Sequence, residues 1–417
     1  MWAERWDGKM DDIFALQDKI TTKIVAALAV QLTESDKVRV ARKYTDNVLA
    51  YDTFIKGRKH ALQYSTENLV KAISYYKEAI ELDPNYGQAY AGLADVLYRG
   101  VYTIWKTMGY TSPLELRAKA HEYLKLAMKN PTALAHKNKS RIYLNFRLFD
   151  EALAEAENAI ALDPNDPTMH SYMAYFLIYA GNPKEALNYA KKVMRFDPLY
   201  IGGSLYRMGI AHFCMENYDE SISFLERTVI HLPELMHAYT FLMASYAHLG
   251  RDEEARKTFA RYMENAPFSK APGLFHIMRN RPFRDQNIAD RFAQGLIKAG
   301  WPGLNKYYKI NSENILTGEE SREILFGKKI AGFNLYSKKE WWEDITKDGK
   351  VTHQEGSLSF SGVYTIEKNL LGKKYQKRVK GLKFYQTVFR NPKGTPKRKN
   401  EYFMLGDTFL LPFSIVN

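Results

Sequence analysis

Side chains that could perform chemistry are few and scattered in this sequence of 417 residues. His136 and His170 lie 34 residues apart, but two histidines at such a distance would need further ligands to hold a metal ion. Cys214 is the single cysteine, which excludes an internal disulfide framework and a cysteine-based zinc site. The sequence also has no glycine-rich phosphate loop and no nucleophile elbow. We therefore expect a non-enzymatic protein with no metal and no cofactor.

Positive charge is concentrated near the end of the chain. Twelve Lys or Arg residues and no Asp or Glu lie between Lys368 and Lys399, while the whole chain carries a net charge of +13. Such a patch could bind nucleic acid or an anionic membrane surface. We favour the alternative that these residues lie on exposed loops and keep the protein soluble, because no nucleic-acid-binding motif accompanies them. The candidate basic patch consists of Lys373, Lys374, Lys377, Arg378, Lys380, Lys397, Arg398 and Lys399.

A short pattern recurs along the chain, in the elements that would have to position any functional side chains. EAIELDPNY is followed by NAIALDPND, KVMRFDPLY and RTVIHLPEL. Pro164, Pro198, Pro233 and Pro267 follow one another at intervals of 34, 35 and 34 residues, and a period of this size predicts stacked repeats. Apolar residues recur three and four positions apart on both sides of a short turn. Each unit therefore predicts two amphipathic helices.

The pattern resembles the tetratricopeptide repeat over roughly residues 50–267. Alanine, glycine and proline fall on the family's positions, as at Ala174, Gly181, Ala186 and Pro198. The resemblance implies a right-handed α-solenoid of about six helix pairs over 46–267, followed by capping helices over 268–304. The second unit departs from the pattern, because VYTIWKTMGYTSP is inserted between its helices.

The resemblance also implies a concave face that is lined by the first helix of each pair and binds a protein or peptide partner. Large aromatic residues dominate the side chains expected on this face, and such residues commonly anchor interfaces. Several of them could instead pack between adjacent repeats. The residues that the family's geometry places on this face are Lys137, Arg141, Asn145, Tyr175, Tyr179, Tyr206, Phe213 and His248.

The first 45 residues predict one helix, whose apolar face contains Ile13, Leu16, Ile20, Ile24 and Leu28. WAERWDGKMDDIFALQDKI is similar to the end of the TolB-like domain that precedes these repeats in bacterial class III adenylate or guanylate cyclase-type proteins. This resemblance implies a role in bacterial signalling. Alternatively, it makes the chain the regulatory portion of a larger nucleotide cyclase polypeptide. The most apolar early stretch is far shorter than the roughly 20 residues needed to cross a membrane, so we expect a cytoplasmic protein.

The repeat period disappears after about residue 305, and the composition changes. SLSFSGVYTIEKNL and GLKFYQTVFRNP are rich in β-branched and aromatic residues, and KDGK is a candidate hairpin turn. These features predict a small antiparallel β domain of seven or eight strands over 305–417, either a barrel or a sandwich. Trp341 and Trp342 would face opposite sides of one strand. At least one of them should therefore be in the core, and the other could line a ligand pocket.

Overall fold

The computed structural model contains helices before residue 301 and mainly strands after residue 328. It describes residues 13–27, 33, 36–38, 42–63, 65–100, 104, 106–110, 113–196, 201–265, 277, 281–301, 314–334, 339–367, 370–375, 383–391, 400–406 and 410–416. Among these residues, no helix is both long enough and apolar enough to cross a membrane.

Six helix pairs follow one another between residues 48 and 265, which confirms the predicted number. The two helices of each pair contact each other, and the second helix contacts the first helix of the next pair. Among the described residues, the long helix α1 (Ile13–Ala27) precedes the pairs, and α14 (Gln286–Lys298) follows them. The pairs are α2 (Val48–Ala61) and α3 (Thr66–Leu82), α4 (Gly87–Arg99) and α5 (Pro113–Ala127), α6 (Ala133–Asn145) and α7 (Phe149–Leu162), α8 (Pro167–Tyr179) and α9 (Pro183–Phe196), α10 (Ile201–Cys214) and α11 (Tyr218–His231), and α12 (Met236–His248) and α13 (Asp252–Asn265).

Small residues occupy the predicted helix-crossing positions within the pairs. Ala174 on α8 and Ala186 on α9 are both almost completely buried, so a larger side chain there would have to displace its neighbours. Ser221 takes the alanine position in the fifth pair. Its hydroxyl donates a hydrogen bond of 2.8 Å to the carbonyl of Gly209 on the facing helix. The polar group is therefore satisfied within the close contact.

The turn inside a helix pair has the same backbone conformation in four successive units. Arg147, Gly181, Glu216 and Gly250 have φ angles of 66°, 95°, 65° and 71°, which lie in the left-handed region that glycine adopts most readily. A Cβ atom added at Gly181 or Gly250 would meet nothing within 4 Å. The demand for glycine at these turns therefore comes from the backbone conformation and not from crowding.

Eight antiparallel strands close into a barrel, in which each strand pairs with the next and β1 pairs with β8. The structure thus resolves the alternative between a barrel and a sandwich. The predicted KDGK turn joins β2 to β3, with Gly349 at a φ angle of 85°. The strands are β1 (Lys328–Phe333), β2 (Glu340–Ile345), β3 (Lys350–Glu355), β4 (Leu358–Glu367), β5 (Leu370–Tyr375), β6 (Lys383–Arg390), β7 (Tyr402–Gly406) and β8 (Leu410–Val416).

A short helix closes one end of the barrel. This helix, α15 (Gly318–Leu325), contacts β1, β4 and β5, and Leu325 packs with the apolar side chains of the barrel interior. Trp341 points into that interior and is 1% exposed. Trp342 lies half-buried on the opposite face of β2, where the Lys329 ammonium lies 4.6 Å from its ring centre. One of the two tryptophans therefore belongs to the core, as predicted.

Candidate functional site

The first helices of successive pairs contact one another and form one continuous face. We call this surface, made by α2, α4, α6, α8, α10 and α12, the concave face. On α6 it carries Lys137, Arg141 and Asn145, which are spaced four residues apart and therefore share one side of the helix. The structure brings the first two of these predicted residues together with an acidic residue of α4.

Asp95 on α4 is the centre of a cluster of charges. The Lys137 ammonium lies 2.6 Å from one of its carboxylate oxygens, and the Arg141 guanidinium lies 3.2 Å from the same oxygen. Arg99 binds the other oxygen at 2.8 Å. We call Asp95, Arg99, Lys137 and Arg141 the charged cluster. It holds three cations and one anion, and Lys137 is only 3% exposed.

The electrostatics of the charged cluster favour a further negative charge. Burial alone would raise the pKa of Asp95, but the charges of Lys137, Arg99 and Arg141 outweigh it and hold that pKa far below its usual range. Burial lowers the pKa of Lys137 to about 8, because Asp95 offsets this effect only in part and Arg141 adds to it. The Asp95 carboxylate is thus fully stabilised, whereas the Lys137 ammonium is compensated only in part.

Tyrosine rings surround these cations. The Lys137 ammonium lies 4.5 Å from the ring centre of Tyr172, and the Arg141 guanidinium lies 4.6 Å from that of Tyr98. Arg207 on α10 lies 4.9 Å from the ring centre of Tyr175. Tyr172 and Tyr175 are only half-buried. This part of the concave face therefore presents cations and aromatic edges together, a combination suited to anionic and aromatic groups of a ligand.

The later part of the concave face is covered by the chain's own residues 281–284, which we call the returning segment. The backbone N–H of Arg284 donates a hydrogen bond of 2.8 Å to the carbonyl of Tyr179 on α8. The ring of Phe283 lies 4.8 Å from that of Tyr179 and 6.2 Å from that of Phe241 on α12. The guanidinium of Arg281 lies 2.8 Å from Nδ1 of His237, also on α12.

Four of the five predicted partner-binding residues on α8, α10 and α12 consequently face the chain itself, and Tyr175 is the exception. Tyr179, Tyr206 and Phe213 are at most 3% exposed. The Phe213 ring lies 5.9 Å from that of Phe292 on α14, and Nε2 of His248 lies 2.8 Å from the carbonyl oxygen of Arg291. In this structure these four residues do not line an open groove, because the returning segment and α14 cover them.

The basic patch requires one correction. Lys373 lies on the inward face of β5, is 5% exposed and is bound to Glu343 inside the barrel, so it cannot contact phosphates on the surface. Lys374, its neighbour, is exposed. Lys377, Arg378, Lys380, Lys397, Arg398 and Lys399 lie outside the described residues.

The two histidines one repeat apart make separate local contacts. Nδ1 of His136 lies 2.6 Å from a carboxylate oxygen of Glu155, and Nε2 of His170 lies 2.6 Å from the carbonyl oxygen of Pro164. Burial raises the pKa of the Cys214 thiol far above its usual range, which makes the reactive thiolate scarce.

Sequence reasoning missed Asp95, Tyr172 and Arg207. A signal existed for the first, because Asp95 is the single acidic residue in the apolar helix GQAYAGLADVLYR. An isolated charge of this kind in a buried helix needs an ionic partner. One partner, Arg99, lies four residues further along the same helix, but Lys137 could not be located from the repeat pattern alone, since it lies 42 residues away on α6.

Residues 62–86 match the family model of the tetratricopeptide repeat, and they include α3, the second helix of the first pair. This segment is therefore similar to one tetratricopeptide repeat, a unit whose stacked copies form extended binding surfaces.

Two curated proteins are similar to parts of this chain. "Putative adenylate cyclase 3" of Rhizobium meliloti (strain 1021) is 32% identical over 105 residues, which are 25% of this chain and 18% of that protein. "TPR repeat-containing protein YpiA" of Bacillus subtilis (strain 168) is 22% identical over 176 residues, which are 42% of this chain and 38% of that protein. The chain thus spans well under half the length of either relative.

Solved structures of tetratricopeptide repeat proteins also overlap with the chain. A repeat protein from Parabacteroides merdae is 17% identical and covers 62% of this chain and 94% of its own, with a TM-score of 0.34. YrrB, described as a repeat protein with an unusual peptide-binding site, is 17% identical and covers 46% of this chain and 92% of its own, with a TM-score of 0.29.

Proposed function

We propose that this chain is a non-catalytic scaffold that binds an acidic segment of a partner protein on its concave face, beside Lys137 and Arg141. The observation that carries the proposal is the charge balance of the charged cluster, in which three cations share one carboxylate. Buried charge without full compensation costs free energy. A carboxylate brought by a partner would therefore be bound more favourably there than on an exposed surface.

The half-buried residues around the charged cluster give the partner a point of entry. Asn145, Tyr172 and Tyr175 are each partly accessible, whereas Lys137 lies deeper. An acidic side chain or a terminal carboxylate entering past the tyrosines would reach Arg141 first. The tyrosine rings would then contact the apolar and aromatic residues on either side of the acidic group.

A peptide-display experiment tests this proposal. The purified chain selects binders from a library of random peptides, and the selected pool should be enriched in Asp and Glu. Arg141→Gln should weaken binding of a selected peptide about 10- to 100-fold, because it removes a charge-assisted hydrogen bond. The matched control is the pair Lys191→Gln and Lys192→Gln, which removes exposed cations of α9 and should leave binding unchanged. A selected pool without acidic enrichment, or equal losses in the control, would contradict the proposal.

The pH dependence of binding offers a second test. Free Lys137 loses its proton near pH 8, and a bound carboxylate would raise that pKa by stabilising the ammonium. Affinity for an acidic peptide should therefore be constant below about pH 8 and decline as the pH rises above it. Lys137→Met should remove this decline while leaving Asp95 paired with Arg99 and Arg141. A wild-type affinity that stays flat up to pH 9.5 would count against the role of Lys137.

A second candidate function places the scaffold beside, or within, a nucleotide cyclase system in the bacterial cytoplasm. The observation that favours it is the identity of 32% over 105 residues with the Rhizobium meliloti relative named as an adenylate cyclase. In its stronger form, this chain is the regulatory portion of a larger polypeptide. The gene sequence upstream of Met1 tests that form, because an open frame encoding a cyclase catalytic domain would support it and an in-frame stop codon would exclude it.

A further inference from the structure

The interior of the barrel holds a network of polar side chains among its apolar residues. The carboxylate of Glu343 on β2 accepts a hydrogen bond from the Lys373 ammonium, and its other oxygen accepts one of 2.6 Å from the Tyr364 hydroxyl. Nδ1 of His353 lies 2.7 Å from the first oxygen. Gln386 on β6 donates to the Tyr364 hydroxyl at 3.3 Å. We call these five residues the interior network, and each is at most 6% exposed.

Stability alone does not require the interior network. Replacing a buried ion pair by well-packed apolar side chains is often neutral or stabilising, and the surrounding interior positions are indeed apolar, as at Ile330, Val351 and Leu371. The network also joins four different strands, β2 to β5, and reaches a fifth, β6. A polar arrangement of this extent inside a small barrel indicates a site for binding.

A stack of flat rings lies beside the network. The Trp341 ring is nearly parallel to that of His353, with their centres 6.0 Å apart and their planes at 16°. The His353 ring is in turn stacked on that of Phe360, at 5.5 Å and 18°. A Cβ atom at Gly332 on β1 would lie 2.1 Å from the carbonyl oxygen of Pro412 and 2.8 Å from the Trp341 ring, so both the backbone and the indole require glycine there.

One hydrogen-bond donor in this stack has no acceptor. Nε1 of Trp341 is buried, and within the described part of the chain no atom accepts its hydrogen. A buried indole N–H usually finds a partner, and leaving a buried donor without an acceptor costs free energy. The missing acceptor therefore points to a ligand that would supply one.

The stack also lies toward the end of the barrel that α15 does not close. Phe326, which follows α15, would touch a Cβ atom at Gly349 in the β2–β3 turn. Trp341 pairs instead with Glu355, the last residue of β3. Consecutive hairpin turns of an antiparallel barrel lie at opposite ends. The end with Trp341 and Glu355 is therefore the one away from the helix.

We propose that the barrel binds a small, uncharged, planar heterocycle, which stacks with the Trp341–His353–Phe360 layer and accepts the hydrogen bond of Trp341 Nε1. The charges of Glu343 and Lys373 cancel within the interior network, and Glu355 places a further carboxylate 3.7 Å from Nε2 of His353. An anionic ligand would be repelled by that carboxylate. A protonated ring nitrogen would have no lone pair for the Trp341 N–H, so an uncharged ring fits best. Barrels of eight strands are of the size that encloses one small molecule.

The test uses two probes of the same shape, pyridine with a ring-nitrogen acceptor and benzene without one. The full chain is labelled with ¹⁵N at the indole nitrogens of its six tryptophans, and each probe is titrated while the indole N–H signals are recorded. Trp341→Phe identifies the Trp341 signal. If that variant does not fold, replacing the other five tryptophans in turn identifies the signal by elimination.

We expect pyridine to shift the Trp341 signal in a saturable manner, and benzene to bind about tenfold more weakly, the loss that corresponds to one hydrogen bond. The Trp342 signal, from the opposite face of the same strand, should not move. A Trp341 signal that does not respond to pyridine would overturn the proposal. Equal responses to pyridine and benzene would overturn the assigned role of Trp341 Nε1.

Discussion

The left-handed turns of the repeats yield a prediction in which alanine and glycine exchange their usual order of stability. Gly250→Ala places a methyl group in open space, since no atom lies within 4 Å of the new Cβ position. The whole effect must then come from the backbone, which keeps a φ angle of 71°. A left-handed non-glycine residue costs roughly 1–2 kcal/mol, and the lower entropy of the unfolded alanine chain offsets part of that cost. We expect a net loss of about 1 kcal/mol.

The reverse experiment uses Glu216, which adopts a φ angle of 65° without being glycine. Both Glu216→Gly and Glu216→Ala remove its ion pair with Arg291, so the comparison between them isolates the backbone. The glycine variant should be more stable than the alanine variant by about 1 kcal/mol. At Lys257, an exposed position within α13, glycine should instead be less stable than alanine by about 1 kcal/mol.

Urea denaturation followed by circular dichroism at 222 nm, a wavelength that reports helix content, measures these differences. In thermal unfolding, a loss of 1 kcal/mol corresponds to a decrease of about 2–4 °C for a protein region of this size. The reasoning is refuted if alanine and glycine rank in the same order at Glu216 and at Lys257. That result would mean that the turn changes its conformation freely and that the repeating φ angles impose no demand on the sequence.

Three further predictions concern packing and buried charge. Ala186→Arg should destabilise the repeats by several kcal/mol through overpacking and a buried charge; an unchanged melting curve would mean that this is not a crossing position. Phe283→Ala should lower the free energy of unfolding by about 3 kcal/mol, whereas Arg284→Gln, which breaks an exposed ion pair, should lower it by less than about 1 kcal/mol. Equal losses would argue that the returning segment is not packed against the repeats. Lys373→Met should cost about 3–5 kcal/mol in urea denaturation at pH 7 by removing the ammonium that balances the charge of Glu343, and adding Glu343→Leu should restore most of it. A double variant no more stable than the single one would contradict this account.

The pH dependence of the barrel's stability follows from the carboxylate of Glu343. Burial would raise the pKa of Glu343, but Lys373 and His353 lower it to about 2. Because the unfolded chain binds the proton more readily, the contribution of Glu343 to stability is present above its ordinary pKa and is lost as the pH falls toward 2. The Glu343→Leu/Lys373→Met variant should lack this part of the acid sensitivity in thermal unfolding between pH 5 and pH 2.

The repeats could be predicted from the sequence because their signals are local. Each helix ends near a proline or a glycine, and its small residues lie at fixed offsets, so a few neighbouring residues determine each unit. The returning segment had no such signal. Its contacts depend on folding, which places Tyr179 and Phe241 on one face of the repeats, and they join residues that are distant in the chain.

The barrel shows the same limit. Strand composition predicted an antiparallel domain, but closure depends on the pairing of β1 with β8, which no local pattern specifies. The burial of Lys373 did have a signal, because side chains of a strand alternate between its two faces. Lys373 is in phase with Leu371 and out of phase with Lys374, so adjacent lysines in LLGKKY had to point in opposite directions.

The returning segment has a mechanical consequence for the repeat array. In a simple solenoid each repeat contacts only its neighbours, so no contact holds distant repeats at a fixed separation. Here Arg284 contacts Asp150 in the third pair and Tyr179 in the fourth, while Arg281 contacts His237 in the sixth. The returning segment thus links the third, fourth and sixth pairs and constrains the spacing between them. The charged cluster lies in the second and third pairs, so a partner bound there would lie at the edge of this braced part of the array.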